Sequence, residues 1–182
     1  MVALSKSRIL ITGVQGQVGF ELVKSLGTNG AELILAARKP QAIGDLGYQT
    51  VAIDLTSEKN VQDMLRDIKP NIIINPAAYT AVDKAEDDAD QAFAVNQRAV
   101  AVMAEVLGEI GGAIIHFSTD YVYNPKHDRA NVESDPTNPA NVYAASKLAG
   151  EQILRSSDIP HIILRTSWVY GINGNNFVKT MI

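Results

Sequence analysis

Tyr143 and Lys147 stand four residues apart in NVYAASKLAGEQIL, a segment whose spacing of apolar residues predicts a helix. Four-residue spacing sets both side chains on one helix face. A lysine ammonium beside a phenol favours the phenolate, so it is expected to lower the tyrosine pKa from its free value of about 10. Such a tyrosine can pass a proton near neutral pH. The pair alone says little, because Tyr-x-x-x-Lys recurs by chance. A second group gives it a partner: the apolar run AIIHFST ends in Phe117-Ser118-Thr119-Asp120-Tyr121, so that Ser118 or Thr119 offers a hydroxyl to a carbonyl oxygen. Thr119 on its own would read as a hydroxyl capping the end of a strand.

A third group lies near the N-terminus. RILIT runs into Thr12-Gly13-Val14-Gln15-Gly16-Gln17-Val18-Gly19, the spacing G-x-x-G-x-x-G between an expected strand and an expected helix. Gly13 permits a tight turn, Gly16 lets the backbone approach a pyrophosphate, and Gly19 lets the helix pack on the sheet. The helix N-terminus would add free amides and the positive end of its dipole. Taken together, the three groups predict a nicotinamide-dependent oxidoreductase. Hydride comes from the cofactor, Tyr143 protonates the carbonyl oxygen, Thr119 or Ser118 polarises it, and Lys147 tunes Tyr143 and can bind the nicotinamide ribose. A site selective for NAD usually has an acid after the second strand. Here that place reads Ala36-Ala37-Arg38-Lys39, and a guanidinium can pair with a 2′-phosphate. NADP(H) is therefore expected over NAD(H), with Arg38 and Lys39 as plain surface charges the competing reading. Asp54, after the third strand, could contact adenine or cap the following helix.

Positioning these residues requires alternating strands and helices. Strands are expected at 8–12, 33–37, 50–55, 71–75, 113–119 and 161–170. Between them lie a helix through Val18, Leu22, Val23 and Leu26, one capped by Ser57, one long helix carrying Phe93 to Leu107, and the Tyr143 helix. Near-continuous apolar strands separated by helices indicate an α/β fold, a doubly wound parallel sheet covered on both faces. The Pro/Asn-rich stretch 124–141 is a long loop bordering the expected site. The final GNNFVKTMI resembles the start of a further helix, and residues from about 168 to 182 are expected to begin a substrate lobe that continues in a larger protein.

The bulk properties narrow the alternatives. The 182 residues suffice for one domain with a sizeable core. A net charge of −4 argues against non-specific nucleic-acid binding while leaving room for a local basic pocket. With no cysteine, disulfides, thiolate metal sites and cysteine nucleophiles are excluded. No apolar run approaches the roughly 20 residues of a membrane span, and MVALSKSRILITG has no signal-peptide pattern, so a cytoplasmic location is expected. His116 and His161 sit in apolar strand patterns and read as core or edge residues. His127 falls in the long loop, and the three show no metal-ligand spacing. The acidic run Asp83 to Asp90 reads as a solvated helix face.

The segments TGVQGQVGFEL, NPAAYTAVDKAE, AFAVN, HFSTDYVY, VYAASKLAGE, RTSWVYG and GNNFVKTM, in this order, resemble the extended short-chain dehydrogenases with their Rossmann-like fold. Within them the chain resembles the dTDP-4-dehydrorhamnose reductase family, with AYTAVDKAE the most specific segment. The resemblance implies reduction of the 4-keto group of a deoxythymidine-diphosphate sugar, with Thr119, Tyr143 and Lys147 catalytic. It places Gly13, Gln15, Gly16, Gln17, Val18, Asp54, Leu55, Ala77, Ala78 and Tyr79 near the cofactor. Tyr121, Trp168 and Asn176 become candidate sugar-nucleotide contacts beside Ser118, with Trp168 open to reading as a core aromatic instead. Magnesium is implied by the resemblance, with no ligand residues identifiable in this chain, and a homodimer is the expected assembly. The chain departs from the family at Ala144, where glycine is usual, at Asn124-Pro125, where Asp-Gly is usual, and at 129–133, which lacks the usual proline and aromatic. Other readings of the same residues are another nucleotide-sugar reductase or epimerase, or a regulatory module similar to that of methionine adenosyltransferase.

Overall fold

Six short runs rich in Ile, Leu, Val and Ala form a parallel sheet whose central strands are buried under helices on both faces, while Ile162 and Leu164 of the last strand stay 54% and 41% exposed. The computed structural model describes residues 7–28, 30–39, 48, 50–123, 129–174 and 176–182. The strands are β1 (Arg8–Ile11), β2 (Glu32–Ala37), β3 (Thr50–Ala52), β4 (Ile72–Asn75), β5 (Ala113–Thr119) and β6 (His161–Thr166). Their spatial order is β3-β2-β1-β4-β5-β6, with every pairing parallel. The helices are α1 (Gln17–Leu26), α2 (Glu58–Ile68), α3 (Ala89–Phe93), α4 (Ala99–Ile110), α5 (Val142–Ser156) and α6 (Phe177–Met181). This is the α/β, doubly wound arrangement, and its strand order reverses between β1 and β4.

Strand alternation divides the core in two. Leu10, Ala36, Ile73 and Ile114 point to the face where α2, α4 and the Leu154 end of α5 pack through Val61, Leu65, Met103 and Leu107. Ile9, Ile11, Leu35 and Ile74 point to the opposite face, where α1 supplies Val23, with Phe20 and Leu22 beside it. Ser57 caps α2 as expected, its side chain accepting the Asn60 amide.

Four expectations are corrected. β3 stops at Ala52 and β6 at Thr166, short of the predicted 55 and 170. In the second case the chain turns at Trp168, whose φ of 48° lies in the left-handed region that a strand cannot contain. The single long helix from Phe93 to Leu107 is broken: a π-helix at Ala94–Arg98, with Asn96 buried in it, separates α3 from α4. The acidic run is a 3₁₀ turn (Asp83–Glu86) followed by the start of α3 rather than one solvated helix. Its acids are largely exposed, as expected of a solvated face, but Glu86 accepts the Val142 amide at 2.9 Å and Asp88 accepts the Tyr79 hydroxyl at 3.4 Å. His127 and the Asn124-Pro125 departure lie outside the described residues. Among the described residues no helix is long and apolar enough to cross a membrane.

Candidate active site

The reversal of strand order opens a crevice at the carboxyl ends of β1 and β4, and both loops there are shaped by close backbone contact. Gly13 has φ +57°, and a Cβ on it would stand 2.8 Å from the Ala77 Cα, so the loop after β1 rests directly on the loop after β4. A Cβ on Gly19 would come within 2.3 Å of the Gly13 carbonyl oxygen. Gly16 differs. Its φ of −81° suits any residue, and a Cβ there would meet only the Gly13 oxygen, at 3.2 Å. The backbone angle at position 16 does not demand glycine, a Cβ would ask the Gly13 oxygen to give by a few tenths of an ångström, and a ligand approaching the backbone would demand glycine outright.

Gly16 is the N-cap of α1 and supplies no side-chain cap. The first amides of the helix thus face the crevice with the dipole's positive end behind them. This is a cradle for phosphates, and it fits a dinucleotide. Gln15 is exposed beside it. Gln17 and Val18 line a cleft of about 400 Å³ with Phe117, Tyr170 and Asn173. Arg38 is exposed at the end of β2. Its charge helps hold the Asp54 carboxyl below the usual range, behind the larger contribution of the Thr56 hydroxyl and amide, both of which donate to Asp54 Oδ1. Asp54 therefore closes the turn ahead of α2, while Ser57 is the cap. Leu55 is half-buried and packs on the core. Ala77, Ala78 and Tyr79 are half-buried along the loop after β4.

The reactive corner lies on the next strand over. Thr119, 6% exposed, ends β5, and its Oγ1 accepts the Tyr121 amide at 3.2 Å. Asn141 caps α5 by accepting the Ala144 amide at 2.7 Å, which sets Tyr143 in the first turn. Tyr143 comes within hydrogen-bonding reach of Thr119, and Tyr121 packs edge-on against it at 6.1 Å. Lys147, one turn on, is 2% exposed and donates to the Phe117 carbonyl at 2.6 Å.

The electrostatics reverse one expectation. Burial raises the Tyr143 pKa, and Asp120 and Tyr121 add to the rise, against a lowering by the Thr119 hydrogen bond. Lys147 does not pull it down, because its head is drawn under the sheet to the Phe117 carbonyl. The perturbed group is Lys147 itself, pushed down to about 8 by burial, with the Glu151 charge opposing.

Ser118 has a partner inside the protein. It is 4% exposed and its hydroxyl donates to Glu151 Oε1 at 2.5 Å. Glu151 is wholly buried and takes two further bonds from Arg165, at 2.9 and 2.6 Å. Burial opposes its ionisation, yet the bonds from Arg165 and Ser118 and the charges of Arg165 and Arg155 hold it below the usual carboxylate range. This clamp ties β5, β6 and α5 together under the reactive corner.

Of the candidate sugar contacts, Tyr121 is 43% exposed beside Tyr143. Trp168 is 67% exposed and stacks edge-on with Phe177 at 5.0 Å, so it is not a core aromatic. Asn176 caps α6 and donates to Gln17 Oε1 at 3.1 Å, placing that end of the chain against the glycine loop. Among the described residues no three His, Asp or Glu side chains converge as a metal site would.

Asn96 escaped the sequence reading. Its amide bonds both the N–H and the carbonyl of Tyr79 and donates to Ser146 Oγ at 2.9 Å, joining the loop after β4 to α5. The available signal was an asparagine inside an apolar helical pattern, where a polar side chain needs partners.

Comparison with known proteins agrees with this geometry. Residues 7–182 match the family described as RmlD substrate binding domain. The dTDP-4-dehydrorhamnose reductase of Salmonella typhimurium is 41% identical over 174 residues, covering 96% of this chain and 55% of the relative. The crystal structure of dTDP-4-dehydrorhamnose reductase from Bacillus anthracis in complex with NADP superposes with a TM-score of 0.85 at 36% identity, over 97% of this chain and 58% of that one. UDP-glucose 4-epimerase of Thermus thermophilus in complex with NAD gives 0.79 at 27% identity, over 92% and 57%. The chain thus spans little more than half the length of the relatives it matches, and it belongs to the dTDP-4-dehydrorhamnose reductase family.

Proposed function

We propose that this chain is the cofactor-binding and catalytic part of an NADP(H)-dependent reductase acting on the 4-keto group of a nucleotide-linked deoxysugar, with dTDP-4-dehydro-L-rhamnose the expected substrate. The observation that carries the reading is the meeting of Thr119 and Tyr143 at the carboxyl end of β5, one strand from the uncapped N-terminus of α1. Gly13, Gln15, Gly16, Gln17 and Val18 would hold the pyrophosphate, Arg38 the 2′-phosphate, and Asp54, Leu55 and the loop Ala77-Ala78-Tyr79 the remaining cofactor. The chemistry a reduced nicotinamide supplies there is hydride to the carbonyl carbon. Thr119 orients the carbonyl oxygen, and Tyr143, which burial keeps protonated, donates the proton that completes the alcohol. Lys147 holds the ribose side of the site. Tyr121, Trp168 and Asn176 would meet the sugar nucleotide, and residues from about 168 onward would begin the substrate lobe. A cytoplasmic location and a homodimer accompany this reading.

An epimerase of the same fold is a second reading, favoured by the Thermus thermophilus likeness. The test is NADPH oxidation with dTDP-4-keto-6-deoxy-L-mannose, using this chain joined to the remaining length its relatives have. Steady consumption that falls about 10²- to 10⁴-fold in Tyr143→Phe is expected. Conversion of the sugar with no net NADPH consumption would favour the epimerase.

A further inference from the structure

A line of buried polar groups runs beneath the site, and it has a direction. Thr12, Asn75, His116 and Lys147 are all 2% exposed or less, so each bond must be satisfied within the protein. The Ala77 amide can only donate, and it does so to Thr12 Oγ1 at 3.3 Å. The Thr12 hydroxyl in turn donates to Asn75 Oδ1 at 2.5 Å. With its oxygen so engaged, Asn75 presents its NH₂ to His116 Nδ1 at 3.1 Å. Nδ1 must then accept, and a neutral imidazole carries its one proton on Nε2. Nε2 stands 3.4 Å from Lys147 Nζ.

We propose that His116 is a positioning residue for Lys147: the relay from Ala77 through Thr12 and Asn75 turns Nε2–H towards Nζ and so favours the amine over the ammonium. An ammonium has no lone pair to receive that N–H, whereas an amine accepts it while still donating to the Phe117 carbonyl. The other groups around Nζ are Tyr143 a turn before and Glu151 a turn after; Glu151 is paired with Arg165 and Arg155, and what remains of its charge favours the ammonium and so works against the relay. Burial of His116, with the Lys147 charge adding, also disfavours an imidazolium. The relay passes through Thr12, the residue before Gly13, so the glycine loop and Lys147 share one hydrogen-bonded line. Its role rests on the reductase reading of Lys147, but its test does not use turnover.

The experiment reads the two nitrogens and the amine directly by NMR. In the unsubstituted chain, His116 should show an unprotonated Nδ1 and a protonated Nε2 throughout about pH 6 to 9. Lys147 Nζ should titrate near 8. In His116→Gln the side-chain amide can turn its oxygen to Nζ, and the Lys147 titration should move up by roughly one pH unit or more. His116→Asn keeps an acceptor for Asn75 but presents nothing to Nζ, and should also move it up. A protonated Nδ1 in the unsubstituted chain would mean the relay runs the other way and would overturn the proposal. So would a Lys147 titration unmoved in a folded His116→Gln. Failure of the reductase reading would appear instead as an intact relay in a protein that does not oxidise NADPH.

Discussion

The crevice has two walls made of different material. The glycine loop after β1 works through backbone: Gly13 and Gly19 bring main-chain atoms together, and Gly16 leaves the α1 amides open. The corner of β5 and α5 works through side chains: His116, Thr119, Lys147 and Glu151 are all buried, and His116, Lys147 and Glu151 are each held by a partner on another element. The first wall suits a ligand recognised by charge and shape. The second suits chemistry, because a proton donor must be held still and its ionisation set by its surroundings.

If the second wall depends on buried pairing, breaking it should be costly. Glu151→Ala strands Arg165 without its carboxylate and should destabilise the fold by about 3–5 kcal/mol, read as a fall in the denaturation midpoint. An exposed pair such as Lys59–Asp63 should contribute under about 1 kcal/mol when broken in the same way.

The first wall should answer to ligand identity instead. Arg38→Ala should weaken NADPH relative to NADH by about 10- to 100-fold, the loss of one charge-assisted contact, with the thermal midpoint almost unchanged. Equal losses for the two cofactors in a binding titration would remove Arg38 from the 2′-phosphate.

A pH series sharpens the contrast further. Lys147 is held in the fold at about 8, below its ordinary value of 10.5. The unfolded chain therefore binds that proton more tightly. Stability is penalised below about pH 8 and should recover, by up to about 1.4 kcal/mol per pH unit, as pH rises from there towards 10.5. Urea midpoints between pH 8 and pH 9.5 should show this rise, and Lys147→Met should flatten it. Nothing comparable is expected from the glycine loop, which buries no ionisable side chain.

The same difference decides what could be read in advance. The glycine spacing, the apolar strands and the Tyr143–Lys147 interval are local patterns, and the doubly wound parallel sheet and the glycine turn between β1 and α1 follow from them. The buried polar chemistry is not local. Asn75 and His116 are separated by 41 residues and look like interruptions of apolar strands until the sheet sets β4 beside β5. Ser118 was ambiguous with Thr119 because adjacent strand residues face opposite ways, and only the position of α5 shows that Ser118 faces Glu151. The Tyr143 pKa was misjudged because four-residue spacing brings Lys147 to the same helix face but cannot reveal the Phe117 carbonyl competing for it. The break at Asn96 was hidden inside an otherwise regular helical pattern.

The central claim is that the two walls are separable, one binding and one reacting. It is tested most directly by the NADPH affinity of Gly16→Val beside that of Tyr143→Phe. The φ at Gly16 suits any residue and a Cβ would press only on the Gly13 oxygen, so the valine variant, its fold checked by circular dichroism, should lose NADPH binding by about 100-fold or more, the loss of roughly 3 kcal/mol of phosphate contacts. Tyr143→Phe should bind NADPH within about twofold of the unsubstituted chain. Tight binding by Gly16→Val, or a matching loss in Tyr143→Phe, would contradict the account.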